Sequence, residues 1–180
     1  MLAGIDSALQ PDSQYETYIA REVINYIDAN YKTISSMPGR AICGLSMGGH
    51  GAISLLIKNP DQYIAGSSMS GVLDLSVARK KYGLINLLGT YDKNKQIWEN
   101  NSCLILAQYL VNKNKGILID CGIDDRFIDC NRKFHEILLQ LNVPHDYSER
   151  PGGHSWDYWV NALEYHLLFF NKIWESKELK

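Results

Sequence analysis

The stretch Arg40-Ala-Ile-Cys-Gly-Leu-Ser-Met-Gly-Gly-His-Gly-Ala-Ile-Ser-Leu-Leu-Ile57 decides how this chain is read. Arg40 to Leu45 is a short apolar run of strand type, and Ala52 to Ile57 an apolar helical run that stops near Asn59-Pro60. Between them lies Gly44-Leu45-Ser46-Met47-Gly48, a Gly-x-Ser-x-Gly pattern in the strand-to-helix context that a nucleophile elbow requires. The bend must be sharp enough for the Ser46 hydroxyl to stand clear of the sheet's C-terminal edge, at a backbone cost of about 1–3 kcal/mol. Gly44 and Gly48 are expected to remove side chains where strand and helix nearly touch. The Met47 N–H opens the helix beside the Ser46 oxygen, so Met47 is a candidate oxyanion donor at the positive end of the helix.

Working outward, Ser13-Gln-Tyr-Glu16 reads as a capping box. Tyr15, Ile19, Val23, Tyr26 and Ile27 then recur at helical spacing to about Tyr31, and Pro38-Gly39 is a turn. Tyr63 to Met69 is a second strand candidate. Within residues 72–112, Leu84 to Leu88 and Leu104 to Val111 look helical, with polar loops around Asn94 and Asn100. Gly116 to Asp120 is a continuous apolar run of the buried, parallel-sheet kind. Arg132 to Leu141 is an amphipathic helix, and His145 to Arg150 a more polar strand near a sheet edge. Trp159, Leu163, Leu167, Phe170 and Trp174 form a helical stripe expected to pack the last helix on the sheet. The alternation of strands and helices predicts an α/β fold, a mostly parallel sheet flanked by helices.

With 180 residues and neither repeat nor linker, residues 1–180 are read as a single domain. Apolar residues at 46% against 21% charged give it an ordinary globular composition. A net charge of −2 with no basic patch argues against nucleic acid as a partner. No apolar run reaches membrane-span length, and Met1-Leu-Ala-Gly-Ile-Asp-Ser-Ala-Leu-Gln10 lacks the features of a signal peptide. Cys43, Cys103, Cys121 and Cys130 are scattered and read as reduced thiols, most of them buried, which fits a cytoplasmic protein. Without CxxC or HExxH spacing no metal site is expected, and without a GxGxxG loop no nucleotide cofactor.

A serine nucleophile needs a base. His50 lies too near Ser46 in sequence to swing round to it, His135 and His166 sit on helices, and His145 opens the last strand. His154 sits in Pro151-Gly-Gly-His-Ser-Trp156, a glycine-rich, flexible-looking loop after that strand, where α/β sheets place their chemistry. The base needs an orienting acid. Gly122-Ile-Asp-Asp125 follows the buried strand, and Asp125 is favoured over Asp124 because it lies far enough out to turn over the strand end. Asp120 is still in the strand and Asp129 reads as a helix-start residue. The order Ser, Asp, His is one of the known triad orders. Trp156 is a candidate wall of a substrate pocket, and Trp159 reads as core.

At Gly44-Leu-Ser-Met-Gly-Gly-His-Gly-Ala52, Cys121-Gly-Ile-Asp-Asp125 and Pro151-Gly-Gly-His-Ser-Trp-Asp-Tyr-Trp159 the chain resembles the esterase D-like branch of the α/β-hydrolases. That branch includes S-formylglutathione hydrolases, tributyrin-type, acetyl-xylan and feruloyl esterases, and mycolyl acyltransferases. The likeness runs from about Asp12 to Trp174. It implies Ser46 as nucleophile, Asp125 as acid, His154 as base and Met47 as oxyanion donor, acting without a cofactor on a small ester or thioester. An acyltransferase on the same triad and an inactive, truncated fold are the alternatives. The family's preceding strands, and the His-Gly loop that gives its second oxyanion donor, have no counterpart before Gly44. The chain is therefore expected to be a partial domain lacking the N-terminal strands, with an exposed sheet edge open to self-association.

Overall fold

The structure, a computed structural model, describes residues 4–178. Four parallel strands, β1 (Ala41–Leu45), β2 (Ala65–Met69), β3 (Gly116–Gly122) and β4 (Asp146–Arg150), lie in the order β1-β2-β3-β4. The first helical stretch runs as α1 (Tyr15–Thr17), a π-helical segment (Tyr18–Val23) and α2 (Ile24–Asn30). Then come α3 (Met47–Lys58), the short α4 (Leu84–Leu88), α5 (Lys95–Glu99) and α6 (Cys103–Leu106), and the longer α7 (Ile128–Gln140) and α8 (Trp156–Glu178). The α/β reading and the parallel sheet hold.

The period-2 alternation of a strand sorts the core into two faces. Ile117 and Ile119 of β3 meet Ile53 and Leu56 of α3 and Phe134 and Leu138 of α7 on one face. On the other face α8 packs Tyr158, Trp159 and Ala162 against Met69, and Phe170 against Ile64 and Ala65. Each fully buried Leu, Ile or Phe of this kind contributes about 1.5–3 kcal/mol. Residues 72–99 fold over the strand ends, where Val72, Leu75, Leu84 and Trp98 gather with Ile5 around Met47. Central β2 and β3 are almost wholly buried, whereas β1 is half-exposed and, among the described residues, has a strand on one side only.

Two local readings are corrected. Ser13 and Glu16 form no capping box: the residue before α1 is Gln14, it makes no side-chain cap, and Glu16 instead pairs with Lys58. A tertiary ion pair has taken the side chain that the box would have used. The stripe on α8 is also rotated. Leu163, Leu167 and Trp174 are exposed, and the buried face runs through Tyr158, Trp159, Ala162, His166 and Phe170. The polar His166 hid this face, because its Nδ1 bonds Ser67 Oγ at 2.7 Å inside the core.

Burial, with the charge of Arg150 adding to it, pushes the His166 imidazole down to about 4 from an ordinary 6.5. The unfolded chain therefore takes up this proton first as pH falls, and folding loses stability from about pH 6.5 down to about 4. Urea-unfolding midpoints across that window should fall for the wild type and fall less for His166→Gln. Equal slopes would contradict the assignment.

Candidate active site

Ser46 follows β1 directly and adopts φ 56°, ψ −120°, a left-handed backbone that costs a non-glycine residue energy. The bend is held from several sides. Ser46 N–H donates to Met69 O at 2.9 Å, and the Ser46 carbonyl accepts from His50 N–H and Val72 N–H, both at 3.2 Å. A Cβ at Gly44 would overlap the Gly48 carbonyl, and one at Gly49 would press on Ser68 Oγ. A Cβ at Gly48 would meet nothing within 4 Å. The tight approach thus rests on Gly44 and Gly49, not on the expected pair Gly44 and Gly48. Met47 is the first residue of α3, so its N–H has no acceptor within the helix.

The three residues singled out on three separate segments come together. Ser46 Oγ lies 2.9 Å from His154 Nε2, and His154 Nδ1 lies 2.8 Å from Asp125 Oδ2 and 3.1 Å from Oδ1. A carboxylate only accepts, so Nδ1 carries the proton and the neutral ring leaves Nε2 to accept from the Ser46 hydroxyl. Burial acts to raise the Asp125 carboxyl. The bonds from His154, the Phe127 N–H at 2.9 Å and Ser70 outweigh it and hold the group below its ordinary value. The His154 ring is caught edge-on between Phe127 and Trp159, at 5.1 and 4.7 Å between centroids. Asp124 is exposed, and its backbone N–H holds the His154 loop through Gly152 O at 3.0 Å. Ile123 N–H does the same through Arg150 O at 2.9 Å. The loop that looked flexible in the sequence is therefore stitched to the loop bearing Asp125.

The other histidines are placed elsewhere. His50 Nε2 bonds Asn101 O inside the core, His166 bonds Ser67, and His135 and His145 bond each other at 2.7 Å. Trp156 is two-thirds exposed, its ring edge-on to Trp159. Phe127 and the burial of Ile5 near Met47 escaped the sequence reading, since neither stands in a recognisable motif. Among the described residues no group of three or more His, Cys, Asp and Glu could hold a metal ion. A polarised hydroxyl, an oriented imidazole and a buried carboxylate, with a helix N-terminus alongside, can perform nucleophilic attack with proton transfer.

This sheet, wrapped by helices with its serine in a strained strand-to-helix bend, defines an α/β-hydrolase-type protein. The sequence pattern of the Esterase family matches residues 7–170, and the chain belongs to that family. It is 28% identical over 155 residues to an S-formylglutathione hydrolase of Arabidopsis thaliana, with 83% of this chain and 53% of that protein covered. To the diacylglycerol acyltransferase/mycolyltransferase Ag85B of Mycobacterium leprae it is 27% identical, with 84% and 55% covered. The solved structure of a ferulic acid esterase superposes with a TM-score of 0.78 at 30% identity, over 94% of this chain and 63% of that one. The chain spans about half the length of the curated relatives it matches.

The glycine contacts separate two substitutions. Gly44→Ala should lower stability by about 2 kcal/mol or more, because the clash is with backbone that cannot move aside. Gly48→Ala, in open space within a helix, should be neutral or stabilising by up to about 1 kcal/mol. Urea unfolding of both variants checks this, and the opposite ranking would contradict the geometry of the bend.

Proposed function

We propose that this protein is a serine hydrolase of carboxylic esters or thioesters, with Ser46 as nucleophile, His154 as general base and acid, and Asp125 as the orienting carboxylate. The observation that carries the reading is the unbroken run of hydrogen bonds from Ser46 Oγ through His154 to Asp125. Ser46 Oγ attacks the substrate carbonyl carbon as its proton passes to His154 Nε2. The tetrahedral oxyanion is stabilised by the Met47 N–H. The C–O or C–S bond then breaks, and the leaving alcohol or thiol takes the proton from His154. Water repeats the sequence on the acyl-enzyme, returning the acid product and free Ser46. Asp125 keeps the proton on Nδ1 and stabilises the imidazolium. Trp156, exposed beside Trp159, forms a wall for the substrate. No cofactor takes part.

The likeness to a mycolyltransferase favours one variation, in which an alcohol rather than water accepts the acyl group. Two further parts of the reading concern the molecule's surroundings. The apolar, half-exposed β1 supports self-association through its open edge. Cys43, Cys103, Cys121 and Cys130, all free thiols, support a cytoplasmic location, which recovery from an oxidising compartment would refute.

Hydrolysis of 4-nitrophenyl esters tests the mechanism. Ser46→Ala and His154→Ala should each abolish it, and the double variant should be little worse than either alone, because the residues act as a unit. Asp125→Asn should cost a factor on the order of 10⁴ where the acid fixes the tautomer, and Asp124→Asn far less. A rate above about a tenth of wild type in Ser46→Ala would move the activity elsewhere, since loss of the nucleophile removes the covalent step. Light scattering on the same wild-type sample should give more than one chain per particle, and a stable monomer would remove the edge from the account.

A further inference from the structure

Among the described residues the fold buries two carboxylates, Asp125 and Asp120, and only Asp125 belongs to the hydrogen-bonded run described above. Asp120 stands near the end of β3, on the face opposite Ile119 and so toward α8. A buried carboxylate needs donors to replace the water it has lost. Asp120 has two on its side chain. Arg150, the last residue of β4, pairs Nη2 with Asp120 Oδ2. The Tyr158 hydroxyl, in the first turn of α8, donates to Asp120 Oδ1 at 2.5 Å.

These two partners bracket residues 151–157, the segment that carries His154. Its two ends are held differently. At the entry the backbone helps, since Ile123 N–H donates to Arg150 O and Asp124 N–H to Gly152 O. At the exit Ser155 N–H turns back to Gly153 O, and the Ser155 carbonyl and hydroxyl accept from Trp159 N–H and Tyr158 N–H within α8. The first turn of α8 is tied to the sheet through side chains, Tyr158 on Asp120 and Trp159 Nε1–H on Ser70 Oγ at 3.2 Å. Of these two ties, the one to Asp120 reaches the strand that leads to Asp125. The Tyr158 ring also packs against Gly152, where a Cβ would come within 2.8 Å of it.

We infer that Asp120 is a positioning residue of the active site: by holding Arg150 and Tyr158 on one carboxylate it fixes both ends of the His154 segment against β3, and so places His154 between Ser46 and Asp125. The inference rests on the triad reading above. Fully buried, Asp120 touches no substrate and acts through its two partners. His154 must reach Ser46 Oγ with one ring nitrogen and Asp125 with the other, at 2.9 and 2.8 Å, so its backbone has little room to shift. A misplacement of about 1 Å can cost on the order of 10² in rate.

The test compares wild type with Tyr158→Phe, Arg150→Met and Arg150→Lys. Tyr158→Phe removes one hydroxyl and leaves the ring on Gly152. Arg150→Met removes the charge that pairs with Asp120, and Arg150→Lys restores one. On 4-nitrophenyl acetate kcat should fall roughly tenfold or more in Tyr158→Phe and Arg150→Met, with KM unchanged, and Arg150→Lys should recover most of the loss. Amide hydrogen exchange, followed by NMR, reads the anchoring without any turnover. In Tyr158→Phe the Trp159 amide should gain more in exchange rate than the Leu55 amide of α3, because the opening is local. An unchanged kcat in Tyr158→Phe, or equal acceleration at Trp159 and Leu55, would overturn the inference. Should Arg150→Met fail to fold, Tyr158→Phe decides alone. If wild type shows no turnover, the hydrolase reading fails, and the exchange rates still decide whether Asp120 anchors the segment.

Discussion

The structure depends on a contact that only a missing atom permits. Because Gly44 has no Cβ, the end of β1 can run against the backbone of Gly48, and a single residue makes the turn between β1 and α3. That residue is Ser46, and the left-handed backbone it adopts costs about 1–3 kcal/mol. The cost is offset by what the bend brings into place. It drops α3 onto the sheet, where Ile53, Leu55 and Leu56 are fully buried. It also turns the Ser46 hydroxyl up at the C-terminal ends of parallel strands, the one edge that the loops after β3 and β4 can reach.

Those two loops supply the other groups, and their mutual bonding explains why three distant segments agree in position. The backbone of Ile123 and Asp124 donates to Arg150 and Gly152, so the segments bearing Asp125 and His154 are tied to each other. Gly122 allows it, since a Cβ there would strike the Gly152 carbonyl. Below them Asp120 is fully buried against Arg150 and Tyr158, which lie on either side of His154 in the chain. Burial raises the Asp120 carboxyl despite these partners. In such surroundings the short bonds among Ser46, His154 and Asp125 are worth more than they would be in water.

Much of this was legible in the sequence, for identifiable reasons. The elbow is a local pattern in which each residue type has its own steric duty. The continuous apolar run Gly116 to Asp120 could only be a buried strand, and the segment order then set the chain order of the candidate residues. What escaped was non-local. Glu16 looked like half of a capping box because its pairing with Lys58 is made only on folding. The buried face of α8 was misread because the polar His166 lies at its centre and three apolar neighbours point outward. Gly48 looked as constrained as Gly44, although the space beside it is open.

The central claim is that Ser46 is a nucleophile activated through His154. Its most direct test is intact-mass and peptide analysis after treatment with a fluorophosphonate, which phosphonylates an activated serine with loss of fluoride. The account predicts one adduct per chain, located on Ser46, formed rapidly by the wild type and not by His154→Ala. Absence of any adduct, a label on a different residue, or equal labelling of wild type and His154→Ala would contradict it.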